Sequence, residues 1–281
     1  MFEKIENSWK LAKECWRVLM LDKEMLVYPI INAILSIGVL IIAYFGLVEL
    51  DLIGRGNDIP VTQNEKVFIW VLLAITLYSI IFIQSFSQTA IIASALIRLR
   101  GDNPTLLDGF NVATLKIFHI AIWSLVHFLF GVVRSLIMSL FKGKFMRERV
   151  GDLIESGWNV ITVFIIPIII MENTNVYNAF KRSKLLLKKK WGEAVGLEVG
   201  FYSLSWIIAI PLAFIFLLGY NLHETYPMFA IIVFSIAVIL TIITSAIYSA
   251  LTGISKAVMY NFAIDKNIPT GFDQNAFVQR N

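Results

Sequence analysis

Long uninterrupted runs of apolar residues constrain the fold of this chain more than any other feature. Most of these runs span about 20 residues or more, the length at which a helix crosses the roughly 30 Å hydrocarbon core of a bilayer. Lipid offers no hydrogen-bond partners to the backbone, so we expect helices, which satisfy their own backbone groups. The sequence therefore predicts an all-α fold, a polytopic transmembrane helical bundle.

The composition agrees with this prediction. Hydrophobic residues make up 58% of the 281 positions and charged residues 16%, against roughly 45–50% and 25% in soluble domains. The net charge of +4 comes from basic residues at the ends of the apolar runs. An anionic membrane surface is therefore the expected partner, and we expect no nucleic-acid binding, since no basic face carries stacking aromatic residues.

The apolar runs predict about six spans. We place them at residues 26–48, 67–96, 117–140, 156–171, 194–219 and 227–254. The fourth is short: its apolar core covers only 158–171 and contains Pro167, so it either extends upstream into polar residues or is re-entrant. If 117–140 and 158–171 were both re-entrant, four full spans would remain.

Three amphipathic segments accompany the spans. The first, residues 1–24, places Trp9, Trp16 and Leu19 on one helical side, and we expect it either to lie in the headgroup layer or to dock on the protein. The others are 102–116 and 174–191. With them, residues 25–262 form the transmembrane bundle, and 263–281 form a polar C-terminal tail.

The distribution of positive charge predicts the orientation. Lysine and arginine are concentrated in 1–24, 98–116, 172–194 and the chain beyond 256, which places these segments and both termini on the cytoplasmic side. Lys142, Lys144, Arg147 and Arg149 argue against six spans, because they fall on the opposite side. The re-entrant alternative would remove that conflict.

Catalytic and metal-binding patterns are absent from the sequence. Cys15 is the only cysteine and there are three histidines, which excludes an internal disulfide and a thiolate cluster. No nucleophile elbow, zinc-protease pair or phosphate-binding glycine loop occurs. We therefore expect no catalytic, cofactor-binding or metal site, and a protein that is not an enzyme.

A few polar residues inside the predicted spans form the first candidate site. His127 and Arg134 are seven residues apart on one helical side, and Gln84, Gln88 and Glu198 could face them. Such residues could line a path for a small anion. Alternatively, Arg134 snorkels to the interface and the histidine bonds a neighbouring helix.

The basic stretch in 174–191 forms the second candidate site. Its cations are the candidate contacts to anionic lipid headgroups: Lys181, Arg182, Lys184, Lys188, Lys189 and Lys190.

Four motifs carry a resemblance that covers nearly the whole chain. They are Asp22-Lys23-Glu24 with Pro29, GDNPTLLDGF at 101–110, IPIIIMEN with NAFKRSKLLLKKKWGE between 166 and 193, and YNFAIDKNIPTGFD at 260–273. Together they resemble an uncharacterised family of six-span prokaryotic membrane proteins, one without an established activity. The resemblance implies a multi-pass protein of a prokaryotic inner or plasma membrane.

Two functions remain open from the sequence. The first is a non-enzymatic scaffold, assembly or accessory protein acting at the cytoplasmic leaflet, with lipids and a membrane-protein partner or a second copy as binding partners. The alternative is a channel or transporter for a small, anionic solute.

Overall fold

Helices account for nearly all of the described chain. The computed structural model describes residues 2–49, 62–141 and 143–265, with the backbone alone for 2–11, 189–208 and 265. No strand occurs in these ranges. In chain order the helices are α1 (Phe2–Leu21), α2 (Val27–Glu49, after the 3-10 turn Lys23–Leu26), α3 (Gln63–Leu99), α4 (Leu106–Leu115), α5 (Ile117–Ser139), α6 (Lys144–Thr162), α7 (Ile165–Met171), α8 (Val176–Leu222) and α9 (Pro227–Asp265).

Five helical stretches of the described residues are long and apolar enough to cross a membrane. They are Lys23–Glu49, Gln63–Leu99, Ile117–Ser139, Lys144–Met171 and Pro227–Ile264. The predicted span at 194–219 lies in α8, where side chains up to residue 208 are outside the described set and the described remainder, Ala209–Leu222, is a shorter apolar helix. The protein is thus a helical bundle with multiple membrane-spanning helices.

The helix that contains the fourth predicted span begins well before that span. Helix α6 starts at Lys144, about a dozen residues before the expected boundary at 156, and the helical path bends at Val163 and Phe164 before α7. Apolar content alone set the expected boundary, whereas the polar residues upstream continue the same helix. The sequence left open whether this block extends upstream into polar residues or is re-entrant. The helix does extend upstream, and Lys144–Met171 is long enough to cross a bilayer.

The second basic segment is not a separate helix. The sequence predicted an amphipathic helix at 174–191 followed by a span from 194, but α8 runs without interruption from Val176 to Leu222. Lysine and leucine favour helix and no proline occurs before Pro211, and Gly192 alone costs a helix only about 1 kcal/mol, so α8 continues through 192–193. At 1.5 Å per residue, α8 is about 70 Å long, roughly twice the hydrocarbon thickness.

Buried side chains are concentrated at one end of the bundle, which we call the base. Fully buried residues such as Leu19, Ile91, Phe164, Ile254 and Tyr260 belong to one continuous apolar cluster there. The elements that meet in the base are α1, the 3-10 turn, α4, α7, the first part of α8 (176–188), and the last parts of α3 (88–99) and α9 (250–262). Tyr28 of α2, Ile120 and Trp123 of α5, and Val160 of α6 join the same cluster.

Away from the base, the helices expose large apolar side chains. Ile42 of α2, Trp70 of α3, Phe214 of α8 and Met228 of α9 are each between 68% and 75% exposed. In water such surfaces would aggregate, whereas acyl chains solvate them. This half of the bundle is therefore the part that lies in hydrocarbon.

Helix α1 docks on the protein, one of the two arrangements expected for it. Cys15 and Leu19 are fully buried, and α1 contacts α8 and α9. Trp16, predicted to share the apolar side with Leu19, is 42% exposed because the buried stripe is centred on Cys15 and Val18 instead. Burial also raises the pKa of the Cys15 thiol, with a smaller contribution from Glu14, so this thiol is unreactive while α1 stays docked.

Candidate functional site at the base of the bundle

An ion pair joins the start of the chain to the end of α3. The guanidinium of Arg98 donates to both carboxylate oxygens of Asp22 and to the side-chain carbonyl of Asn103. The Asp22 side chain is 6% exposed and that of Arg98 is 22% exposed. A bidentate pair with so little solvent fixes the 3-10 turn against α3.

A second polar contact holds α4 against α2 and α3. The hydroxyl of Tyr28 lies 3.0 Å from that of Ser94 and donates to the carbonyl of Leu106 at 2.7 Å. Gly109 faces the same point: a Cβ there would contact the Tyr28 and Ser94 oxygens and come within 2.7 Å of the Ala90 carbonyl. The helices can approach this closely only because residue 109 has no side chain.

The N-terminus of α4 is capped from two directions. The carboxylate of Asp108 accepts from the backbone N–H of Thr105 at 2.8 Å and from its hydroxyl at 2.7 Å, and these bonds hold the pKa of Asp108 below its ordinary value. Glu24 accepts from the backbone N–H of Leu106 at 3.1 Å. The motif that the sequence indicated only as a helix stop thus anchors α4 to the 3-10 turn.

A third polar cluster lies at the α7–α8 turn. One carboxylate oxygen of Glu172 accepts from Arg182 at 3.1 Å and from the Tyr260 hydroxyl at 3.2 Å, which ties α7, α8 and α9 together. Lys116 donates to the side-chain carbonyl of Asn173. Two of the motifs that carried the family resemblance, those at 166–193 and 260–273, therefore meet in space, although they lie far apart in sequence.

The basic part of α8 has a buried side and an exposed side. Ala179, Ser183 and Leu187 are buried against the bundle, and Ser183 donates to the Ile161 carbonyl at 2.6 Å. The exposed stripe, which we call the lysine face, is formed by Tyr177, Lys181, Lys184, Leu185 and Lys188. Lys181 lies over the Tyr177 ring at 4.4 Å from its centroid.

Not all of the predicted lipid contacts belong to the lysine face. Lys181, Lys184 and Lys188 do, but Arg182 is half-buried and paired with Glu172. The side chains of Lys189 and Lys190 lie outside the described residues.

The residues of the candidate polar path form no hydrogen bond with one another in the described part of the chain, and those that have partners contact different helices. Gln88 is buried and donates to the Ser249 hydroxyl of α9 at 2.8 Å and to its carbonyl at 3.1 Å, while Gln84 is exposed. The Glu198 side chain is outside the described residues. Gln88 of α3 therefore serves as a contact to α9, the role that polar side chains within spans usually have.

His127 and Arg134 contact α6. The His127 ring lies edge-on to Trp123 and Trp158, with ring centroids 5.8 and 6.2 Å apart, and is half-buried. Arg134 pairs with Glu155 at 2.7 Å. Arg134 lies about 27 Å along the helix from Lys116, near the far boundary of a 30 Å slab, where a long side chain can reach polar groups.

No group of three or more metal-ligating side chains occurs among the residues whose side chains are described. Sequence reasoning also missed most of the base: Asp22, Gly109 and Glu172 were part of quoted motifs but were interpreted as helix boundaries, and Arg98 and Tyr28 were not singled out. One signal in the sequence could have found them. Each motif adjoins the cytoplasmic end of a predicted span, so the polar residues of all the motifs are expected at the same depth, the cytoplasmic interface.

Comparison with known proteins gives a family but no activity. No curated protein and no solved structure matches the chain. A family model, described as a family of unknown function, DUF6159, matches residues 65–272. The match extends from the start of α3 past the end of α9. It covers the motifs at 101–110 and 166–193 and all but the last residue of that at 260–273, in agreement with the resemblance to an uncharacterised family. The chain belongs to this family of unknown function, DUF6159.

Proposed function

We propose that this protein is a non-enzymatic membrane scaffold whose base binds anionic lipid headgroups of the cytoplasmic leaflet and presents that surface for assembly with other membrane components. The observation that supports it is the lysine face, in which three exposed lysines alternate with exposed Tyr177 and Leu185 on a helix whose opposite side is buried. Cations beside amphipathic and apolar side chains match the boundary between headgroups and acyl chains.

Other elements of the base also support a position at the boundary between headgroups and acyl chains. Leu107 and Leu115 of α4 are 67% and 80% exposed, and Trp16 and Leu21 of α1 are 42% and 66% exposed. The same end of the bundle carries the ion pairs of Asp22 with Arg98 and of Glu172 with Arg182, polar groups that are suited to the wet side of the interface. The positive-charge distribution supports the assignment of this end of the bundle to the cytoplasm of a prokaryotic cell.

The channel alternative has less support. Arg134, the cation expected to attract the anion, is paired with Glu155, and Gln88 is bonded to α9. A paired arginine holds α5 to α6 and leaves little net positive charge for a permeating ion. We therefore interpret both groups as contacts that hold helices together.

Removing the lysine face should remove the preference for anionic lipid. The variant Lys181→Gln, Lys184→Gln, Lys188→Gln loses three cations, each contributing about 1 kcal/mol near an anionic surface, so the anionic share of co-purified lipid should fall to that of the bulk membrane. Mass spectrometry of lipids retained after mild detergent extraction measures this share. The matched control, Lys144→Gln, Arg147→Gln, Arg149→Gln, removes three exposed cations from α6 and should change nothing.

Two outcomes would contradict the proposal. One is equal anionic lipid retention by the lysine-face variant and the unmodified chain. The other is anion flux through reconstituted vesicles that exceeds that of empty vesicles and disappears in Arg134→Ala, which would support the channel instead.

A further inference from the structure

Three cations from separate elements converge on the turn between α7 and α8. Arg100, just after α3, donates to the Met171 sulfur at 2.9 Å, and Lys116, between α4 and α5, donates to the Asn173 side chain. Arg182 of α8 donates to Glu172 at 3.1 Å. The side chains of the three consecutive residues 171–173 thus each accept a hydrogen bond from one cation.

The charges around this turn do not balance. Glu172 supplies the carboxylate at this turn, and that carboxylate already accepts hydrogen bonds from Arg182 and from the Tyr260 hydroxyl. A thioether is a weak acceptor and an amide is neutral, so Arg100 and Lys116 have only uncharged partners among the described residues. Asp102, two residues after Arg100, forms no ion pair in the described part of the chain.

The positive charge of Lys116 lies where water reaches it only in part. It is half-buried, and its neighbours Leu115 and Phe118 are 80% and 79% exposed. Two large apolar side chains that face outwards at the start of an apolar helix put this lysine at the edge of the hydrocarbon. A cation that is partly removed from water without a counter-charge is costly, and an anion at the headgroup level would compensate it.

We propose that Arg100 and Lys116, which both donate to side chains of the α7–α8 turn, form a binding site for one phosphate group, that of an anionic phospholipid headgroup. The guanidinium supplies the planar donors that match phosphate oxygens, and the ammonium supplies a point charge. The exposed Leu115 and Phe118 would contact the acyl chains of the same lipid. This inference deepens the proposed function, because it needs the base to lie at the leaflet, but it uses residues outside the lysine face.

Native mass spectrometry of the purified full chain in non-ionic detergent tests the site. Phosphatidylglycerol should add as one tightly bound equivalent, while phosphatidylcholine should not. In Arg100→Gln, Lys116→Gln the affinity for that equivalent should fall about 30-fold, since the loss of each cation lowers it about five- to sixfold. The charge-conserving variant Arg100→Lys, Lys116→Arg should retain most of it. Protection of Cys15 from maleimide shows that each variant keeps its base folded.

Glycerol phosphate separates the two sources of a phosphate group. Weak competition by glycerol phosphate supports a lipid, because the acyl contacts are missing. Competition as strong as that of the lipid would overturn the lipid assignment and leave a site for a soluble phosphate compound. Undiminished phosphatidylglycerol binding by the glutamine variant would overturn the site while leaving the lysine face untouched. Failure of the lysine-face variant to change lipid retention would refute the proposed function alone.

Discussion

Gly109→Ala is expected to destabilise the base by about 3 kcal/mol, the upper part of the range for overpacking a tight contact. The new methyl group would collide with the Tyr28 and Ser94 hydroxyls and approach the Ala90 carbonyl oxygen to 2.7 Å. The hydroxyls could rotate only by giving up their bonds to each other and to Leu106, and the carbonyl is backbone, so α3 and α4 must separate. Thermal unfolding in detergent, followed by circular dichroism, measures the loss.

Gly131→Ala is the matched control. Nothing lies within 4 Å of a Cβ placed on Gly131 in the middle of α5. Alanine favours helix over glycine by up to about 1 kcal/mol, so this variant should be as stable as the unmodified chain or slightly more so. Equal stability of the two alanine variants would show that α4 does not pack on α3 as described.

Asp22→Ala is expected to open the base about 100-fold more often. Breaking a largely buried ion pair by removing one partner costs about 3 kcal/mol, because the remaining charge keeps its desolvation penalty, and each 1.4 kcal/mol is a factor of ten. Here the remaining charge is Arg98, 22% exposed, with only Asn103 as its neutral partner. The rate at which maleimide modifies Cys15 reports the opening, since that thiol is fully buried in α1, the helix that ends just before Asp22.

Two further variants test whether the Asp22–Arg98 ion pair is responsible for the protection of Cys15. Glu148→Ala breaks the exposed pair with Lys144, whose side chains are 62% and 91% exposed, and should leave the labelling rate unchanged. The charge exchange Asp22→Arg with Arg98→Asp should recover part of the protection that Asp22→Ala loses. Labelling of Cys15 at the unmodified rate in Asp22→Ala would contradict the role assigned to this pair.

The class of fold could be predicted because it depends on local chemistry. Runs of apolar residues of span length have one stable arrangement in lipid, so the predicted bundle and the approximate positions of α2, α3, α5 and α9 follow directly. Boundaries were predictable only where a breaker occurs, as at Gly101 with its positive φ of 99°. Where polar residues continue a helix, as at Lys144 and Lys190, composition placed the boundary wrongly.

The candidate site could be predicted only in part, because it depends on contacts between distant segments. The exposed lysines of α8 are visible in the sequence as a charge run. By contrast, the bond of Arg182 to Glu172 and the pairing of Arg134 with Glu155 require the packing of separate helices. The same holds for Asp22 and Arg98, 76 residues apart. A single sequence shows that these residues are charged and at helix ends, but it does not show which ones meet.

Cysteine accessibility in intact cells tests the central claim most directly: a membrane-spanning bundle with its packed base at the cytoplasmic leaflet. In a Cys15→Ala background, single cysteines replace Lys184 on the lysine face and Glu224 in the α8–α9 turn, both exposed and at opposite ends of the bundle. An impermeant maleimide should label Glu224→Cys from outside and Lys184→Cys only after the membrane is opened. Labelling of both positions from the same side would contradict the account.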